Sequence, residues 1–148
     1  MTGYEKEKKN GISIIVTGGE EQGSDKASEL FYEVTDNKTV VFLSGGKTPA
    51  NLYSELGKER SLKIGAAAMV DERYGKPMHD NSNELMIERS GLTDYFRTER
   101  IPFYRIISEE KTIANAALRY EERVKYLLGY FPKSVAILGI GEDGTLLE

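Results

Sequence analysis

The sequence predicts an α/β fold, an open and mostly parallel sheet doubly wound with helices on both faces. Short apolar, β-branched runs of strand length alternate with segments whose apolar residues recur at helical spacing, and strand-helix alternation implies right-handed crossovers. Two runs, Thr39–Leu43 and Ser134–Leu138, are apolar at nearly every position, as in strands covered from both sides. The most unusual polar segments each follow such a run directly, which places them together at the carboxyl edge of the sheet, where open α/β folds bind ligands. With 148 residues and no internal repeat, the chain is expected to form one domain over residues 11–148, preceded by a flexible lysine-rich tail over 1–10.

In chain order, Gly11–Thr17 is a β-branched strand closed by Gly18 and Gly19. Ser24–Val34 has helical spacing at Ala27, Leu30, Phe31 and Val34, with Ser24 or Asp25 placed to cap. Thr39–Leu43 is the next strand. A helix follows over Pro49–Leu56, with proline at its first position and Thr48 as N-cap. Leu62–Val70 reads as a strand, Asn83–Arg89 as a helix capped by Ser82, and Ile101–Ile107 as holding a short strand. Ile113–Leu128 is helical, with a stripe of Ile113, Ala117, Tyr120, Val124 and Leu127. Pro132 ends it, and Ser134–Leu138 is the last strand, running into a glycine-rich turn.

Composition narrows the function. A hydrophobic fraction of 39% and a charged fraction of 30% belong to a folded domain rather than a disordered one. The net charge of -4, without a clustered basic face, argues against nucleic acid or an anionic membrane as partner. The chain has no cysteine, which excludes disulfides, thiolate zinc sites and thiol nucleophiles and fits a cytoplasmic location. No apolar run approaches the roughly 20 residues of a spanning helix. His79, the single histidine, lies in a polar loop with no company of nitrogen ligands, so no metal is expected.

Three segments carry the chemistry. Ser44-Gly45-Gly46-Lys47-Thr48-Pro49 offers glycines that let backbone approach a ligand, hydroxyl donors, a lysine charge, and a helix N-terminus whose free N–H groups favour an anion. A plain tight turn with a cap is the blander alternative. The segment is not a Walker A loop, because Val41 stands where that pattern requires its first glycine. Asp71-Glu72-Arg73 puts a carboxylate pair and a planar phosphate fork at a strand end, with one charge able to pair internally while others face a ligand. Gly139–Gly144 matches the spacing of a dinucleotide turn but has only 145–148 after it, so no nucleotide cofactor is expected. Its glycines instead present Asp143.

The order Leu43-Ser-Gly-Gly-Lys-Thr-Pro49, Val70-Asp-Glu-Arg73 with Asn81-Ser-Asn83, and Leu138-Gly-Ile-Gly-Glu-Asp-Gly144 resembles the 6-phosphogluconolactonase and glucosamine-6-phosphate isomerase/deaminase family. The resemblance implies a Rossmann-like sheet, here incomplete at its C-terminal end, a hexose phosphate as small-molecule ligand, and no cofactor. It implies phosphate binding by Ser44, Gly45, Gly46, Lys47, Thr48 and Arg73, a substrate loop with Gly141 and Gly144, and catalytic roles for Asp71, Arg73 and Asp143. Arg73 is similar to the lactonase branch, where the deaminase branch usually has tyrosine. Where the family places a histidine thought to act as base, this chain has Thr145. The implied function is a lactone hydrolase, weak or inactive in this chain. A non-catalytic sugar-phosphate-binding protein and a glucosamine-6-phosphate deaminase are the alternatives. Truncation of a lactonase and a natural short relative both fit, with Leu147-Glu148 resembling a cloning remnant. An exposed sheet edge would then favour a homodimer or swapped assembly.

Overall fold

The computed structural model describes residues 4–146; Leu147 and Glu148 lie outside the described residues. Strand β1 (Glu5–Lys9) pairs antiparallel with β2 (Ile12–Val16) through a turn at Asn10 and Gly11, both in the left-handed region. Asn-Gly is the pair that such a hairpin turn favours. Residues 5–9 therefore form a strand where the sequence predicted a tail, because the Asn10-Gly11 turn folds them back to pair with β2. This hairpin stands apart from the main sheet.

The chain continues as α1 (Glu20–Val34), β3 (Thr39–Leu43), α2 (Ala50–Glu59), β4 (Ala66–Met69), α3 (Asn83–Arg89), α4 (Leu92–Thr98), β5 (Phe103–Tyr104), α5 (Ile113–Tyr130) and β6 (Lys133–Ile137). The sheet order is β5-β4-β3-β6, and every pairing is parallel. Helix α1 begins four residues before Ser24: its N-cap is Gly19, and Glu20 and Glu21 supply the negative charge that a helix start favours. Ser82 does cap α3, accepting from the Leu85 N–H at 3.2 Å. Helix α4 was not foreseen; Gly91, with φ of 84°, breaks the chain between α3 and α4 at the one position there that needs a left-handed residue.

Alternation along the strands separates the two faces of the sheet. Val41, Leu43, Ala67 and Met69 join Phe31, Leu52, Tyr53, Leu56, Ile87, Leu92 and Phe96 in the main core, beneath α1 to α4. Val40, Ala66 and Ala68 pack with Leu127 of α5 on the other face. That second face is covered unevenly: Ser134 and Ala136 of β6 remain exposed beside Phe42. The α5 stripe also differs from expectation. Ala116, Tyr120 and Leu127 are buried while Ile113 is 61% exposed.

Tyr120 finishes an edge that β5 is too short to pair. Strand β5 reaches only Ala67 and Ala68, so Met69 projects beyond it. The Tyr120 hydroxyl accepts from the Met69 N–H at 2.8 Å and donates to the Met69 carbonyl. Burial pushes its pKa up to about 12. Tyr120→Phe leaves both backbone groups without a partner and is expected to cost about 1–3 kcal/mol, read as a lower urea midpoint with an unchanged m-value.

Candidate functional site

The parallel sheet carries the ends of β3, β4 and β6 to one edge, so the three polar turns are neighbours. The Ser44 N–H donates to Ile137 O at 3.2 Å and the Val70 N–H donates to Leu43 O at 2.9 Å, which stitches the strand ends together. Gly139 extends this: a Cβ there would lie 3.6 Å from Pro49 Cδ, 3.7 Å from Thr48 Cβ and 3.9 Å from Gly45 O. The turn after β6 thus abuts the turn after β3.

In the β3 turn, Ser44 is fully buried and its carbonyl accepts a hydrogen bond from the Tyr53 hydroxyl at 2.9 Å. Its own Oγ has no hydrogen-bond partner among the described residues. Gly46 has φ of 90°, which a side chain would strain. Helix α2 starts at Ala50, one residue later than expected, and Thr48 makes no side-chain cap: the Ala50 N–H is taken by Lys47 O at 3.2 Å in a turn that precedes the helix. Lys47 and Thr48 are exposed. Among the described residues the Lys47 ammonium makes no ion pair or hydrogen bond.

In the β4 turn the three charges divide their work. Glu72 is the internal one: Oε1 accepts from the Arg73 N–H at 2.8 Å and the Asn83 N–H at 2.7 Å, and Oε2 accepts from Ser82 Oγ at 2.9 Å and the Glu84 N–H at 3.0 Å. It thereby fastens the start of α3 to the strand end. Arg73 is exposed, and its guanidinium makes no ion pair or hydrogen bond among the described residues. Asp71 keeps a buried Oδ1 without a hydrogen-bond partner among the described residues. His79, half-buried rather than solvent-exposed, accepts from the Asn81 N–H at Nδ1 (3.2 Å) and so donates from Nε2 to Arg73 O (2.8 Å), closing the loop.

Burial, and then the neighbouring Glu72 carboxylate, raise the pKa of Asp71 above its ordinary 3.8, against weaker opposing effects of Arg73 and the Asn83 amide. An acid with a raised folded pKa holds its proton more tightly folded than unfolded. Its contribution to stability is therefore most favourable at low pH and declines as pH rises from 3.8 through the raised midpoint. Asp71→Asn removes that decline. The variant is expected to gain stability relative to the parent between about pH 4 and about pH 7 in denaturant titrations.

The β6 turn closes on itself. The Gly141 N–H donates to Thr145 O at 2.8 Å, the Gly144 N–H to Gly141 O at 2.9 Å, and Ile140 bridges Leu146. Asp143 is exposed, and its Oδ1 accepts from the Thr145 N–H at 2.9 Å. This carboxylate shapes its own turn, a use of Asp in tight turns that glycine spacing alone does not reveal. Glu72 proves to be the charge of its triplet that pairs internally, and Asn83 joins the site although spacing assigned it no role. Their signal was present in the Ser82 cap and the Asn81-Ser-Asn83 run, which only a folded strand-end contact links to Asp71. Among the described residues no cluster of His, Cys, Asp or Glu is suited to a metal ion, and no helix is long and apolar enough to cross a membrane.

A four-stranded parallel sheet with a glycine turn, an internal carboxylate clasp and, among the described residues, two cations without ion pairs at its carboxyl edge defines the class as an α/β protein with its polar turns gathered at one strand edge. Residues 21–145 match the family described as glucosamine-6-phosphate isomerases/6-phosphogluconolactonase, and the chain belongs to it. The chain is 32% identical over 111 residues to a 6-phosphogluconolactonase of Nostoc sp. strain PCC 7120, covering 70% of this chain and 45% of that protein. It is 30% identical over 115 residues to a 6-phosphogluconolactonase of Chlamydia trachomatis, covering 73% and 42%. A 6-phosphogluconolactonase structure from Plasmodium vivax superimposes with a TM-score of 0.64 at 25% identity, covering 87% of this chain and 46% of that one. One from Thermotoga maritima gives 0.62 at 27% identity, covering 87% and 57%. The chain spans about half the length of the relatives just named.

Proposed function

We propose that the chain binds a hexose phosphate in the manner of a 6-phosphogluconolactonase, with weak or no hydrolysis of its own. The observation that carries this reading is the meeting, at one sheet edge, of the Gly45-Gly46 turn with the Lys47 and Arg73 cations, which make no ion pair among the described residues. The N–H groups of Gly45, Gly46 and Lys47, the Ser44 and Thr48 hydroxyls and the Arg73 fork receive the phosphate. Gly141 and Gly144 let the third turn lie close to the sugar. In a lactonase reaction water adds to the lactone carbonyl, and the ring oxygen then leaves as the C–O bond breaks and takes up a proton. Asp71 and Asp143 are the carboxylates available for proton transfer there, and Arg73 the cation for developing charge. Thr145, standing where the family resemblance puts a histidine, has no side-chain pKa suited to a base.

The test compares 6-phosphogluconolactone hydrolysis with its spontaneous background while 6-phosphogluconate binding is followed by calorimetry. Saturable binding with a rate within about tenfold of background is expected. Ammonia release from glucosamine 6-phosphate would select the deaminase reading instead, and absence of binding to any hexose phosphate overturns the proposal. For assembly, among the described residues β6 pairs only with β3 and leaves an open edge beside the uncovered Ser134 and Ala136. A second copy pairing through that edge is the assembly we propose, and light scattering that returns a monomer at micromolar concentration refutes it.

A further inference from the structure

We propose that Asn83 is a positioning residue of this site, whose side-chain amide sets the Asp71 strand end against the Gly45 turn. The proposal rests on the reading of this edge as the ligand site, and it concerns a residue that touches neither the reacting atoms nor the anion. Asn83 is the first residue of α3 and is 4% exposed. Its backbone N–H is held by Glu72 Oε1 at 2.7 Å, so its place is fixed from the β4 turn. Its Nδ2 then reaches back to donate to the Asp71 carbonyl at 3.2 Å. That bond orients the amide and turns Oδ1 toward the β3 turn, where a Cβ on Gly45 would lie only 1.9 Å away. One planar amide thus fills the space between two ligand-binding turns and fixes their separation.

The consequence falls on Asp71. Its buried Oδ1 has no hydrogen-bond partner among the described residues, while the Asn83 amide holds the Asp71 carbonyl and acts on the carboxyl as well. The charged or titratable groups that act on the carboxyl are Glu72, Arg73 and Tyr53. Removing the Asn83 amide withdraws one of the two influences that oppose the upward shift of the Asp71 pKa.

The experiment follows the Asp71 carboxyl carbon by NMR through a pH titration in the full chain, together with 6-phosphogluconate affinity and thermal unfolding. Asn83→Ala is expected to move the Asp71 midpoint upward and to weaken binding roughly tenfold, the value of about one hydrogen bond. Asn83→Asp keeps the volume, removes the donor and adds a charge, so it should shift the midpoint in the same direction even if Asn83→Ala fails to fold. Thr112→Ala removes the α5 cap, which accepts from the Asn115 N–H at 3.2 Å, and serves as the stability control: it should lower the unfolding temperature while leaving the Asp71 midpoint in place. If Asn83→Ala and Asn83→Asp lower only the unfolding temperature and leave midpoint and affinity unchanged, Asn83 is structural and the proposal falls. If the parent chain binds no hexose phosphate, the functional reading fails, and the Asp71 midpoint still decides the role of Asn83.

Discussion

Gly45→Ala is expected to abolish hexose-phosphate binding and to cost about 2–3 kcal/mol of stability. A methyl group at Gly45 would sit 1.9 Å from Asn83 Oδ1, 2.1 Å from Cγ and 2.6 Å from Nδ2, so the whole amide has to leave. It has nowhere cheap to go. Asn83 is buried at the helix start, its N–H is bound to Glu72 and its Nδ2 to Asp71 O. Either the amide swings out and orphans the Asp71 carbonyl, or the β3 turn backs away from the edge, and both separate the phosphate turn from Arg73. Gly139→Ala is the matched control, because its Cβ would meet only ordinary contacts, the nearest at 3.6 Å. Denaturant midpoints and calorimetric titration of the two variants check the contrast.

Glu72→Ala is expected to cost about 2–4 kcal/mol and to weaken binding as well. Its carboxylate takes four donors, three of them backbone N–H groups of Arg73, Asn83 and Glu84. Carboxylate acceptors make the stronger class of hydrogen bond, and their loss leaves partly buried donors unmatched at a helix start. Ser82 still caps α3 through the Leu85 N–H, which keeps the loss below that of a melted helix. Hydrogen exchange at the Asn83 and Glu84 amides is the direct readout. Faster exchange confined to α3 and the β4 turn is the expected pattern, and unchanged protection there would contradict the assigned role.

Much of this fold could be read from spacing alone, for physical reasons that particular residues show. Thr39–Leu43 and Ser134–Leu138 are short apolar runs bounded by breakers, and they became adjacent parallel strands, the second shifted by one residue to Lys133–Ile137, with Val40 opposite Ser134. Pro132 and Ser82 marked real boundaries, because proline cannot continue a helix and a serine oxygen satisfies a free N–H. Failures came where tertiary contact overrode local preference. Leu62–Val70 narrowed to Ala66–Met69, with Leu62 and Ile64 buried in the approach to the strand. Ile101–Ile107 shrank to Phe103–Tyr104 while the Tyr120 hydroxyl took over the end of the neighbouring strand.

The site divided along the same line. Glycines and charges after buried strands announced which turns would meet, since a parallel sheet carries every such turn to one edge. What could not be read was the division of labour within Asp71-Glu72-Arg73. Only the distance from Glu72 to three amides more than nine residues away or adjacent in the loop identifies it as the internal clasp. Only the close approach of Gly45 and Asn83 shows why both residue types are needed.

The most direct measurement is an amide NMR titration of the chain with 6-phosphogluconate. The account predicts saturating shifts at Gly45, Gly46, Lys47, Thr48 and Arg73, largely absent when gluconate without phosphate is added. Shifts that spare this turn, or that gather at the opposite edge of the sheet around Tyr104, Tyr126 and Tyr130, would contradict it.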